Sequence, residues 1–136
     1  MDIFSTVESA ISLSERLLTY LSEYKGASRD RDLLEKEVKV VADLLPTLRG
    51  HIERLLGEGS FGDSDSPTVA ALSAVLTESK MILDDIEKTL RKAKEKMDKI
   101  MTKLLWPFKK ADLEKQIQKL TQIKSYLREA VEYGTM

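Results

Sequence analysis

Apolar residues recur every third or fourth position along this chain, and four stretches of that pattern cover most of it. Ile3, Phe4, Val7, Ala10, Ile11, Leu17, Leu18 and Leu21 predict a first helix over about 3–24. Ser5 and Glu8 fit a capping box at its start, with Asp2 as an alternative cap, and Gly26 supplies a cheap left-handed stop after it. Leu34, Val38, Val41, Leu45, Leu48, Ile52 and Leu55 alternate steps of four and three, predicting a second helix over about 29–56. Pro46 lies inside that stretch, but the pattern continues in phase beyond it, so a kink is expected rather than an end.

Residues 57–66, "GEGSFGDSDS", break the periodicity and read as a loop. Ser66-Pro67 then pairs an N-cap with proline at a first helical position. The third stretch, about 67–104, carries Val69, Leu72, Leu76, Leu83, Ile86, Leu90, Met97, Ile100 or Met101, and Leu104. As one helix it would be roughly 55 Å long. Asp84 with Lys88, Glu87 with Arg91 and Glu95 with Lys99 sit in the favourable i,i+4 order on its polar side. The fourth stretch, about 110–132, carries Leu113, Ile117, Leu120, Ile123, Leu127 and Ala130 or Val131, and Gly134 ends it. The expectation is one all-α domain spanning 1–136, an antiparallel four-helix bundle with a long third helix.

Between the last two helices stands Trp106-Pro107-Phe108, which holds the only Trp of the chain. Pro107 disfavours helical geometry at Trp106 and so stops the third helix. The two aromatics are expected to fold back as a corner over the end of the bundle.

The polar side of the first helix is low in charge. Ser5, Thr6, Ser9, Ser12, Thr19 and Ser22 populate it, and Glu8 and Glu15, seven apart, add a polar stripe along one face. Net charge is −1, but it is unevenly spread: residues 1–79 sum to −6 and residues 80–136 to +5. Lys88, Arg91, Lys92, Lys94, Lys96, Lys99, Lys103, Lys109 and Lys110 crowd into 88–110. A folded chain would therefore present a basic region and an acidic one.

Candidate chemistry is thin. The chain has no Cys, which removes disulfides, thiolate metal sites and Cys nucleophiles. His51 is the only His, and Asp84 and Asp85 are adjacent and point to different helix faces. The Gly-rich loop lacks the Lys of a phosphate-binding loop. No catalytic residue, cofactor or metal ligand is assigned, and a pI near 5.9 argues against nucleic acid as a partner. No apolar run reaches 18 residues, so a constitutive membrane span is not expected.

"LLWPFKKADLEKQIQKLTQIKSYLREAV" resembles the end of the HeLo-like N-terminal domain of fungal STAND, or NLR-like, proteins, where a Leu-x-Trp-Pro-Phe-Lys junction leads into a last amphipathic helix. "MDIFSTVESAISLSERLLTYLSEYKGA" is similar to the start of the same domain. The resemblance implies a helical bundle acting in programmed cell death, fungal innate immunity and heterokaryon incompatibility. It implies self-association on activation, triggered by an NLR or amyloid-signalling partner. The domain would pass from the cytoplasm to the plasma membrane and permeabilise it through the first helix. On that reading Ile3, Phe4, Val7, Ile11, Leu17, Leu18 and Leu21 are the inserting residues. Lys88, Arg91, Lys92, Lys96, Lys99, Lys103, Lys109 and Lys110 would meet anionic lipid, each contributing on the order of 1 kcal/mol.

The alternative is a regulatory bundle that docks other proteins and never inserts. Phe4→Glu, or loss of residues 1–20, should abolish leakage under the first reading while leaving a bundle able to oligomerise. Under the second it should act only through folding or partner affinity.

Overall fold

A computed structural model describes residues 3–24, 28–57, 67–97 and 107–134. These form four helices: α1 (Ile3–Glu23), α2 (Ser28–Gly57), α3 (Pro67–Met97) and α4 (Lys110–Gly134), with no strand among the described residues. α1 packs against α2 and α3, and α4 packs against the same two. α1 and α4 therefore lie across the bundle from each other, as do α2 and α3.

The seams read from the sequence form the core. Leu34, Val38, Val41, Leu45, Leu48 and Ile52 are all buried on α2, and Leu76, Leu83, Ile86 and Leu90 on α3. Leu113, Leu120, Ile123 and Leu127 close it from α4. α2 continues through Pro46 as one helix, and Pro46 itself is exposed. The ring lies on the outer side of the helix, so no core contact is lost there. α3 begins at Pro67 as expected; the expected continuation to 104 falls outside the described residues.

α4 begins after the proline joint, where the Leu113 amide donates to the Lys109 carbonyl at 2.9 Å. Phe108 packs against the core and Pro107 is half-buried. Trp106, the other half of the expected corner, lies outside the described residues.

Among the described residues, two ion pairs cross between helices. Lys124 on α4 meets Glu37 on α2 at 2.9 Å, each about one-fifth exposed, and Arg49 on α2 meets Glu8 on α1 at 3.0 Å. Tyr24, just past α1, is fully buried and its hydroxyl donates to the Leu90 carbonyl of α3 at 2.9 Å. Its own carbonyl accepts from the Arg31 guanidinium of α2. One residue thus ties the end of α1 to both of its neighbours.

Candidate functional site: the first helix and the basic face

α1 is the most apolar of the four helices, and only Glu8, Glu15, Arg16 and Glu23 carry charge on it. Of the candidate inserting residues, Val7, Ile11, Leu17 and Leu21 are buried in the bundle core, whereas Ile3, Phe4 and Leu18 are half-buried and pack against it. Leu13 joins the buried set because α1 faces two neighbours, which demands a broader apolar face than one seam.

The polar side differs from the expected stripe at three places. Thr6 is buried rather than solvent-facing. Ser14, which periodicity passes over, is fully buried and donates to the Ile11 carbonyl at 2.8 Å. Glu8, still partly exposed, is bound to Arg49, while Glu15 is exposed on the same side as Ser5, Ser12 and Thr19.

Hydroxyls along α1 bond to their own helix. Ser14 donates to Ile11, Thr19 to the Glu15 carbonyl at 3.1 Å and Ser22 to the Thr19 carbonyl at 2.6 Å. Such bonds travel with the helix and need no outside acceptor.

The basic region is partly neutralised. Lys88 pairs with Asp84 at 3.0 Å, and Arg91 with Glu87 at 3.5 Å. The Glu87 carboxylate is itself almost fully buried. Lys92, Lys109 and Lys110 are exposed. Lys99, Lys103 and the Lys96 side chain lie outside the description, so the full row of candidate lipid-facing cations is not assembled here.

His51 is half-buried on α2, and its Nδ1 lies 3.1 Å from Arg54 Nη2. A guanidinium only donates, so Nδ1 accepts and the ring proton is assigned to Nε2. Nε2 is buried with no hydrogen-bond partner. Among the described residues, no carboxylate bonds this ring to complete a relay. An open groove of about 300 Å³ lies between α3 and α4, with Val75, Ile82 and Ile123 along it and Glu78, Lys119 and Tyr126 at its edges. Among the described residues, no three His, Cys, Asp or Glu side chains gather as a metal site. No described helix is long and apolar enough to cross a membrane.

Comparison with protein-family models, with curated proteins and with solved structures gives no match.

Proposed function

We propose that this chain is the cell-death execution and signalling domain of a fungal NLR-like immune protein, of the HeLo-like kind, acting by self-association and membrane permeabilisation through α1. The observation that carries the reading is the make-up of α1. It is the most apolar helix, and its Ser14, Thr19 and Ser22 hydroxyls are satisfied within it. Leaving the bundle for lipid moves the buried face of α1 from one apolar setting to another, and the donors keep their partners within the helix.

Clustering follows from the charges that remain. Glu15 and Arg16 lie mid-helix, and a charge at the bilayer centre costs roughly 2.5–3.5 kcal/mol on insertion scales. Several copies can turn those residues towards a shared aqueous lumen, which a lone helix cannot. Lys92, Lys109 and Lys110 then supply attraction to anionic lipid at the plasma membrane, with the cytoplasm as the resting location and an NLR or amyloid-signalling partner as the trigger. The resting form is an antiparallel bundle on this reading. Its support is early α1 meeting late α2 through Glu8–Arg49. Pro46 as a kink and Trp106-Pro107-Phe108 as the corner belong to the same proposal.

Dye release from liposomes tests it. The domain fused to a trimerising tag should empty anionic vesicles, the unfused domain should not, and added salt should weaken the effect. Phe4→Glu in the fused form should lower release at least tenfold with the helical signal retained. Loss of residues 1–20 is not the clean control that the sequence suggests, because it strips Val7, Ala10, Leu13 and Leu17 from the core.

A second reading is a non-inserting interaction bundle. It is favoured by the complete burial of Val7, Ala10, Leu17 and Leu21, which leaves α1 fully occupied at home. Exposed Met81 and the groove edge at Tyr126 would then be its contact surface. No release in either state, with the bundle intact by circular dichroism, would establish that reading over the first.

A further inference from the structure

The side of the bundle where α3 meets α4 carries a second helical pattern, apart from the seams that build the core. On α3, Ala74, Glu78, Met81 and Asp85 follow one another at steps of four, three and four, so they share one face, and all four are exposed. Ala74 and Glu78 line the open groove of about 300 Å³, which places that face beside it. On α4, Lys115, Lys119, Gln122 and Tyr126 repeat the same steps and are likewise exposed, and the last three line the groove from the other bank. Gln122 donates to the Tyr126 hydroxyl at 3.2 Å, which ties two of these side chains together. Steps of three and four are the spacing by which one helix meets another. Among the described residues three large apolar side chains are exposed, Leu33, Met81 and Tyr126, and the last two stand on this side of the bundle.

Charge divides the two stripes. The α3 stripe carries Glu78 and Asp85, and the α4 stripe carries Lys115 and Lys119. None of these four forms an ion pair among the described residues, whereas Lys88, next along α3, is already bound to Asp84. Asp112 and Glu129 continue the α4 stripe beyond the groove, so its positive charge is confined to the middle, across the groove from Glu78.

We infer that the α3–α4 face binds a second copy of this chain, across a two-fold axis running parallel to the helices. That axis lays α3 of each copy over α4 of the other. The acidic stripe then meets the basic one twice, with Glu78 of each copy against Lys119 of its partner copy. Met81 and Tyr126 leave water in the same step, and the apolar groove floor of Val75, Ile82 and Ile123 is roofed over. A two-fold contact requires a surface that complements itself. This one carries acid on one helix, base on the other and exposed apolar side chains on both, in the order that the two-fold demands. Another protein would have to supply base over α3 and acid over α4 in matching register. The α1–α2 contact forms the opposite side of the bundle, so the dimer leaves α1 as it is and stands apart from the proposed membrane action.

Sedimentation of the whole chain in the absence of lipid tests the inference. The chain should run as a dimer at roughly 100 μM and fall to monomer by about 1 μM, the range of a small and partly polar interface. Glu78→Lys alone and Lys119→Glu alone each set like charges together at both pairs, and each should weaken the dimer by about tenfold. Met81→Ser should weaken it by roughly three- to tenfold. These side chains are exposed, so the melting temperature of each variant should stay within about 2 °C of wild type. The deciding arm mixes the two charge variants in equal amounts. In a mixed dimer both pairs again join opposite charges, so affinity should return to near the wild-type value. An ion pair formed between Glu78 and Lys119 inside one chain gives no such recovery. Monomer at every concentration would overturn the inference and leave the groove to a different protein. Undiminished dimer in both charge variants, or no recovery on mixing, would overturn it as well. Because no vesicle is involved, failure here leaves the liposome result to speak separately for the proposed function.

Discussion

Leu17→Ala should lower the free energy of unfolding by about 2–5 kcal/mol, the range for emptying a filled core site. Leu17 is fully buried on α1, a helix that packs against both α2 and α3. Alanine removes most of its apolar area and leaves a void that rigid helices close only in part. At this chain length each kcal/mol moves the melting temperature by roughly 3–5 °C, so a loss on the order of 10 °C is expected by calorimetry. A drop below about 1 kcal/mol would mean that α1 is not integral to the core. The same change should weaken the hold on α1, so clustered Leu17→Ala domain should release dye at a lower concentration than wild type.

Alkaline unfolding should distinguish wild type from Tyr24→Phe. Burial, reinforced by the Glu23 charge, pushes the Tyr24 phenol up to about 12 from its ordinary 10. The folded state therefore holds the phenol proton more tightly than the unfolded chain does. That stabilisation is fully present below pH 10 and is lost as pH climbs from 10 to 12. Two pH units at 1.36 kcal/mol each set an upper bound of about 2.7 kcal/mol. Water near the half-buried Glu23 screens part of it, leaving roughly 1–2 kcal/mol. Tyr24→Phe should cost about 1 kcal/mol at pH 7 through the lost bond to Leu90. Its additional loss between pH 10 and 12 should then be smaller than that of the wild type by the same 1–2 kcal/mol. Every other group is common to the two proteins and cancels in the difference. Parallel pH curves for the two proteins would contradict the buried, proton-donating role of Tyr24.

The helices were legible because burial is repetitive. Six successive seam positions of α2, Leu34 to Ile52, are buried as their spacing required, and the phase held through Pro46. What periodicity reads is apolarity, so buried polar side chains escape it. Ser79 sits three residues after Leu76 and four before Leu83, completing the α3 seam at a gap that apolar residues leave. Its hydroxyl donates to the Val75 carbonyl at 2.8 Å, which makes its burial tolerable. The unfilled step itself was the available signal. Glu87 had a legible partner in Arg91 but no sign of burial, since its environment comes from other helices.

Tyr24 shows the limit more sharply. In the sequence it stands beside a helix stop, an ordinary place for an exposed residue. Its role depends on Leu90, 66 residues away, and on Arg31, seven residues on. The same holds for Glu8, whose spacing to Glu15 suggested a shared polar face and whose partner Arg49 lies on α2. Spacing within one helix fixes which residues share a side. It does not fix which of them meets a neighbour once the helices pack, and the candidate site is defined by those meetings.

The central claim is that α1 leaves the bundle and enters lipid when copies cluster. The chain contains no Cys, so a single introduced thiol is a unique attachment point. Ile3→Cys, at a half-buried position outside the fully buried set, should carry an environment-sensitive fluorophore without opening the core. The measurement is quenching of that label by lipids brominated along the acyl chain, in anionic vesicles, with and without the trimerising tag. The account predicts a blue shift and strong bromolipid quenching for the clustered protein and neither for the unclustered one. Clustered protein bound to the vesicles with its label unshifted and unquenched would contradict it.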